Sequence, residues 1–194
     1  MPEGIKQQII TEFSKVWELN DDAHRLKHFE NVEKCGFAIN EALGLGFDPR
    51  LITMVAFFHD MYAWSRYNHH EMSAHWIRTT DHPLVTQFNP EDRYLIEMGC
   101  WHHRASYGGH FYSKFDELMN AADRELPGDV ENMVERAVLY RINKGMTREE
   151  AYGPAVEHIK EKFGSVSGYA RYPQLYLDVF GDLLTEQRRV IDQL

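Results

Sequence analysis

Cysteine is nearly absent: Cys35 and Cys100 are the two in 194 residues, and they form no CxxC pair. Neither a disulfide framework nor a thiolate zinc finger can be built from them, which fits a reducing compartment. Long apolar runs are missing too. No window approaches 18 apolar residues, so no membrane span is expected. The opening segment MPEGIKQQIITEF has charged and polar residues where a secretory leader needs a continuous apolar stretch. A cytoplasmic setting is the expectation. Positive charge is also short: 21 Lys and Arg face 30 Asp and Glu, for a formal charge of -9. Such a chain repels polyphosphate backbones, which argues against a nucleic-acid-coating role. Strand-like alternation, internal repeats, low-complexity tracts and Pro/Gly/Ser-rich linkers are all lacking.

What is present is helical spacing and histidine. Apolar residues make up 43% of the chain, enough for an ordinary core. Ile5, Ile9, Ile10, Phe13, Val16 and Trp17 recur at intervals of three and four, so a first helix is expected over about 3–19. A second is expected from Asp22 to Leu43, stopped by Gly44 and Gly46. Asp48-Pro49 reads as an N-cap with proline at the first helical position, launching Leu51 to Phe58, and Asn89-Pro90 repeats the device. Thr147 with Glu150 has capping-box spacing. Leu175, Val179, Leu183 and Val190, beside Tyr176, Phe180, Leu184 and Ile191, mark a long amphipathic C-terminal helix that offers a surface for a homo-oligomer. The segment Arg104 to Tyr112 (RASYGGHFY) reads as a loop, and its Gly108-Gly109 as a turn. The fold class expected is all-α, a single-domain helical bundle over 1–194.

Nine of the 11 histidines lie from His24 to His103. His24 and His28 are four apart, on one face of the second helix. His59-Asp60 ends the apolar run Val55-Ala56-Phe57-Phe58; His69-His70 follows in what reads as a polar loop; His102-His103 ends the helix begun at Pro90; Asp123 closes the small-residue stretch from Met119. A buried carboxylate such as Asp60 or Asp123 is costly unless paired or bound to a metal. Imidazole with carboxylate and no thiolate suits a divalent transition ion (Fe, Mn, Ni, Co or Zn) rather than Ca or Mg alone. His75, His82, His110 and His158 read as solvated or structural.

The order His28, then Phe58-His59-Asp60, then Ala122-Asp123 resembles the H…HD…D signature of the HD-domain metal-dependent phosphohydrolases. The resemblance covers about 20–126, opening at Ala23-His24-Arg25-Leu26-Lys27-His28, and matches nothing in the flanking helices 1–19 and 130–194. It implies a helical bundle holding an ion between His28, His59, Asp60 and Asp123, with Asp60 both ligating and orienting the attacking water. Some members hold a second ion. The similarity of His69-His70-Glu71-Met72-Ser73-Ala74 to their HPEIGA-like segment, and of His102-His103 to their later His-His pair, implies His69, His102 and His103 for it, with His70 able to replace His69. His24 reads equally as a ligand, a supporting partner or a surface histidine.

The resemblance implies hydrolysis of a small phosphorylated substrate, with a nucleotide among the options, by metal-activated water, with one or two ions as cofactor. An ion would also neutralise phosphoryl charge that an acidic chain otherwise repels. Arg66 and Arg104 are best placed for phosphate oxygens, ahead of Lys27, Lys114 and Arg124; Tyr62, Trp64 and Tyr67 are available for stacking. The lysine that often follows the HD pair is replaced here by Met61-Tyr62. Two rival readings stand beside this one: an HD-type di-iron oxygenase cleaving a small organic substrate with O₂, and a degenerate, non-catalytic HD domain that binds a ligand.

Overall fold

Helix starts in this chain are set by a few short polar side chains. Asp48 accepts from the Arg50 amide at 2.8 Å and precedes Pro49, opening a helix over Pro49–Phe58. Asn89 does the same for Pro90–His102 through the Asp92 amide. Full capping boxes, Ser113 with Asp116 and Thr147 with Glu150, open Lys114–Ala122 and Arg148–Phe163. Each device satisfies amides that the first turn leaves without partners.

The computed structural model describes residues 2–21, 24–166 and 168–194. Among these the protein is all-α, with ten helices and no strand: α1 (Pro2–Trp17), α2 (Leu26–Ala42), α3 (Pro49–Phe58), α4 (His69–Thr79), α5 (Pro83–Thr86), α6 (Pro90–His102), α7 (Lys114–Ala122), α8 (Val130–Ile142), α9 (Arg148–Phe163) and α10 (Gln174–Asp192). None is long and apolar enough to cross a membrane. The second helix was expected from Asp22; that residue and Ala23 lie outside the described residues, and α2 itself begins at Leu26.

One expectation is corrected: His69-His70 opens α4 and is not a loop. The inward face of α4 carries His69, Ser73, Ala74 and Ile77, so half of it is polar and the apolar periodicity vanishes from the sequence. The stretch 104–112 contains no helix, in line with its reading as a loop.

The chain divides into two compact units, Met1–Leu126 with Tyr172–Val179, and Pro127–Arg171 with Phe180–Leu194. In the first, α3 is the centre, packed by α1, α2 and α6. Every residue from Leu51 to Phe58 is buried, and the one polar side chain among them, Thr53, donates to Glu33 at 2.7 Å, so α3 is enclosed on every side. Burying each large apolar side chain there contributes roughly 1.5–3 kcal/mol. Two glycines let the neighbours close in. A Cβ on Gly36 of α2 would lie 2.7 Å from Ile52 Cγ2, and one on Gly99 of α6 would lie 2.9 Å from Val55 Cγ2. The second unit is built on α8, α9 and the later turns of α10, around Val134, Val138, Ala151, Ala155, Ile159 and Ile191.

These contacts predict opposite outcomes for two Gly→Ala changes. Gly99→Ala overpacks the α3–α6 seam and should cost about 1–3 kcal/mol. Gly181→Ala, inside α10 with nothing within 4 Å of the new methyl, should gain about 0.5–1 kcal/mol. Thermal melts of the two variants check this; equal shifts of the same sign would contradict it.

Candidate metal centre

Three helices of the first unit end at one place. His59 is the C-cap of α3, His103 that of α6, and Asp123 that of α7. His28 comes from the first turn of α2, and His69 is the first residue of α4. Helix C-termini carry partial negative charge, so this convergence favours a cation before any side chain is counted.

The side chains form two sets that share Asp60. In the first, His28 Nε2 and His59 Nε2 are 3.1 Å apart. Asp60 Oδ2 lies 3.5 Å from His28 Nε2 and 3.4 Å from His59 Nε2, and Asp123 Oδ1 lies 3.4 and 3.5 Å from the same two atoms. In the second, His69 Nε2 and His103 Nε2 are 3.2 Å apart, each 3.3 Å from Asp60 Oδ1. Asp60 thus turns one oxygen to each set. His28, His59 and Asp60, and separately Asp60, His69 and His103, have the spacing of metal-ligand groups, and all five are largely withdrawn from solvent.

The far nitrogens decide the protonation pattern. His59 Nδ1 faces the carbonyls of Val55 (3.2 Å) and Ala56 (3.0 Å), so it carries the hydrogen. His28 Nδ1 donates to Glu125 Oε1 at 2.8 Å, and His103 Nδ1 to the Cys100 carbonyl at 2.7 Å. In each neutral ring Nε2 is then a bare lone pair. The centre gathers three such lone pairs with the carboxylates of Asp60 and Asp123. That repulsion demands a positive charge, supplied by protons or by a metal ion.

Titration behaviour follows. Burial pushes His28 and His59 down, but Asp60 and Asp123 outweigh it: His28 stands well above its ordinary value and His59 is raised to about 9. Burial likewise opposes ionisation of both aspartates, and the histidines overcome it, holding both carboxyls well below their usual range. His69 goes the other way, to about 4, through burial and then the neighbouring His103, so it is neutral at pH 7.

Several supporting residues left no mark on the sequence reading. Glu125 orients His28 and is itself held by Asn31 Nδ2 at 2.9 Å, while Tyr176 Oη donates to its backbone carbonyl at 3.0 Å. Its φ of 57° is left-handed, a conformation costing a non-glycine residue about 1–2 kcal/mol and common where function constrains the chain. Asn20, fully buried, donates to the Asp60 and His24 carbonyls (2.9 and 3.0 Å) and accepts from the Trp64 amide, fixing the chain on both sides of the centre. Arg124, named in the sequence only as a phosphate candidate, instead pairs with Asp123 Oδ2 at 3.3 Å and donates to Asn120 Oδ1 at 2.8 Å. The acid directly after Asp123-Arg124 was the only available hint of Glu125.

Other named residues fall elsewhere. His102 is not brought into the second set: it turns to Asp116, with Nδ1 2.8 Å from Oδ2, and lies between the rings of Tyr107 and Tyr112. His70 stands beside His69, its ring 6.5 Å from that of His103. His24 flanks the first set, Nε2 3.8 Å from Asp60 Oδ2 and Nδ1 2.5 Å from Asp21 Oδ1. Arg66 is exposed and tied to Asp21, and Lys114 pairs with Glu117. Arg104 donates to the Tyr67 carbonyl at 3.3 Å. Trp64 and Tyr67 are exposed. Comparison with known protein families, curated proteins and solved structures finds no match.

A pH prediction follows for protein stripped of metal. The raised histidines stabilise the folded chain fully below their ordinary value of 6.5, and that contribution is lost as pH climbs through about 9. The melting temperature of chelator-treated protein should therefore fall between pH 6.5 and 9, and added divalent ion should restore most at the alkaline end. A melting temperature that rises across this range would contradict the protonation pattern.

Proposed function

We propose that this protein is a metal-dependent phosphohydrolase of the HD-domain superfamily, acting on a small phosphoester. The observation that carries the reading is the buried convergence of bare Nε2 atoms and carboxylate oxygens, split into two sets by the two oxygens of Asp60. The donor set fits divalent transition metal: the imidazoles of His28, His59 and His103 are already fixed in the ligating tautomer, His69 adds a fourth ring, and the carboxylates are ionised. His28, His59, Asp60 and Asp123 would hold one ion, and Asp60, His69 and His103 a second.

A divalent ion supplies Lewis acidity, lowering the pKa of water and neutralising phosphoryl charge. The chain supplies the rest. Glu125, the Val55 and Ala56 carbonyls, and the Cys100 carbonyl hold three rings in place, and Asn20 pins the backbone of Asp60. Arg124 fixes Asp123 and offsets its charge. His24, partly exposed and braced by Asp21, stands next to Asp60 Oδ2, where an imidazole is placed to return a proton to the departing oxygen.

A second reading has one observation in its favour. Because Asp60 faces two histidine-bearing sets of similar make-up, the centre also suits a pair of irons, the requirement of an HD-type oxygenase. Iron loading with oxygen uptake, and no phosphoester hydrolysis, would select it.

Hydrolysis of generic phosphoesters by freshly purified protein tests the proposal. His59→Ala and Asp60→Ala should each lose metal and essentially all turnover. Glu125→Gln, which leaves the ligands in place, should weaken metal affinity about 10–100-fold. Unchanged hydrolysis in the Asp60→Ala variant would overturn it.

A further inference from the structure

Beside the second histidine set lies a cavity of about 230 Å³ lined by His70, Trp101, Arg104, Ser106, Tyr107 and Gly108. It sits one residue from two of the ligating positions, since His70 follows His69 and Arg104 follows His103. Most of its wall is the loop 104–112, and that loop is braced. Asn120 Nδ2 donates to the His102 and Arg104 carbonyls at 2.5 and 3.0 Å. His102, held by Asp116, stacks on Tyr107 with centroids 4.5 Å apart and 28° between planes. The Tyr107 hydroxyl donates to the His110 carbonyl at 2.8 Å, and Gly109 lies so close to that ring that a Cβ would be 2.6 Å from the hydroxyl. One face of Tyr107 is thus fixed before any ligand arrives.

The polar groups of the cavity are short of partners. Among the described residues Arg104 forms no ion pair; its guanidinium makes one long hydrogen bond, to the Tyr67 carbonyl. His70 Nδ1 is buried without a hydrogen-bond partner. Asn68, which caps α4 just before His69 and His70, makes no side-chain bond to the first turn, leaving the positive end of that helix uncapped. In a chain of net charge -9, this is a local site for an anion beside two aromatic side chains.

We propose that the cavity is the substrate subsite of the metal centre, and that it selects phosphomonoesters carrying a single flat ring close to phosphorus. Arg104 takes phosphoryl oxygens and the ring lies against Trp101 and Tyr107. Size sets the class. A cavity of about 150 Å³ accommodates benzene, whereas pockets for larger organic ligands run from about 300 Å³ upward. A volume of about 230 Å³ therefore encloses one ring and its substituent, and a whole nucleoside would extend beyond it. This inference rests on the metal-centre reading for its meaning as a substrate site, but its test does not require turnover.

Calorimetric titration with phenylphosphonate and methylphosphonate, neither of which can be hydrolysed as an ester, isolates the ring. Phenylphosphonate should bind at least tenfold more tightly than methylphosphonate, and adenosine monophosphate should gain no such advantage. Trp101→Leu and Tyr107→Leu should each erase most of the difference, and Arg104→Gln should weaken both phosphonates. Because Tyr107 also braces the loop, Trp101→Leu with an unchanged melting temperature is the deciding variant. Equal binding of the two phosphonates, tightest binding of the nucleotide, or no effect of Trp101→Leu would overturn the subsite. If the metal is bound and phosphoesters are hydrolysed while those results are seen, only the subsite falls. If ring-dependent binding is found without metal or hydrolysis, the cavity stands as a ring-selective anion site, and both its role as a substrate subsite and the phosphohydrolase reading fall.

Discussion

Facing lone pairs inside a protein are a cost that some cation must cancel. Here the Nδ1 atoms of His28, His59 and His103 are each committed to an acceptor, so the Nε2 atoms of His28 and His59 confront each other and two aspartates, and that of His103 confronts Asp60, without hydrogens between them. Neutral rings in that arrangement would repel. Protonation relieves it in the stripped protein, which is why His28 and His59 are raised, and a divalent ion would relieve it by meeting several donors at once. Proton and metal then compete for one place, and metal affinity should track pH accordingly.

The architecture serves that constraint. α3 is enclosed on every side, so its direction is fixed by packing, and the first polar residues after it, His59 and Asp60, are delivered to a defined point. α6 and α7 end at the same point, and the small residues Gly36 and Gly99 allow the close approach of α2 and α6 to α3. The remaining strain is concentrated at Glu125, whose left-handed backbone places a carboxylate behind His28 and whose carbonyl is held by Tyr176. A costly conformation braced by hydrogen bonds on both its side chain and its backbone is consistent with a position kept for the site rather than for the core.

Much of this was legible beforehand, for identifiable reasons. Apolar periodicity announced α1 and α10, proline-led caps announced α3 and α6, and the Thr147–Glu150 capping box announced α9. α4 escaped because its inward face is made of His69 and Ser73 as much as Ala74 and Ile77; a helix that presents a ligand has less periodicity to offer. The histidines and aspartates that meet at the centre stood out by their position at the ends of apolar runs. His102 and His103 could not be separated by sequence, since neighbours at a helix end point in different directions and only the fold shows which way each turns. His102 faces Asp116 and the loop, and His103 faces Asp60. Glu125, Asn20 and Asn31 act through contacts spanning 40 to 97 residues, which no local pattern encodes.

Asp60, with one oxygen turned to each histidine set, would separate two cation positions. Crystals of freshly purified protein, with anomalous diffraction collected at the absorption edge of the metal that elemental analysis finds, test it most directly. Two anomalous peaks are expected on opposite oxygens of Asp60, one beside His28 and His59 and the other beside His69 and His103. A protein that retains no transition metal after supplementation, or one whose metal lies away from Asp60, would contradict it.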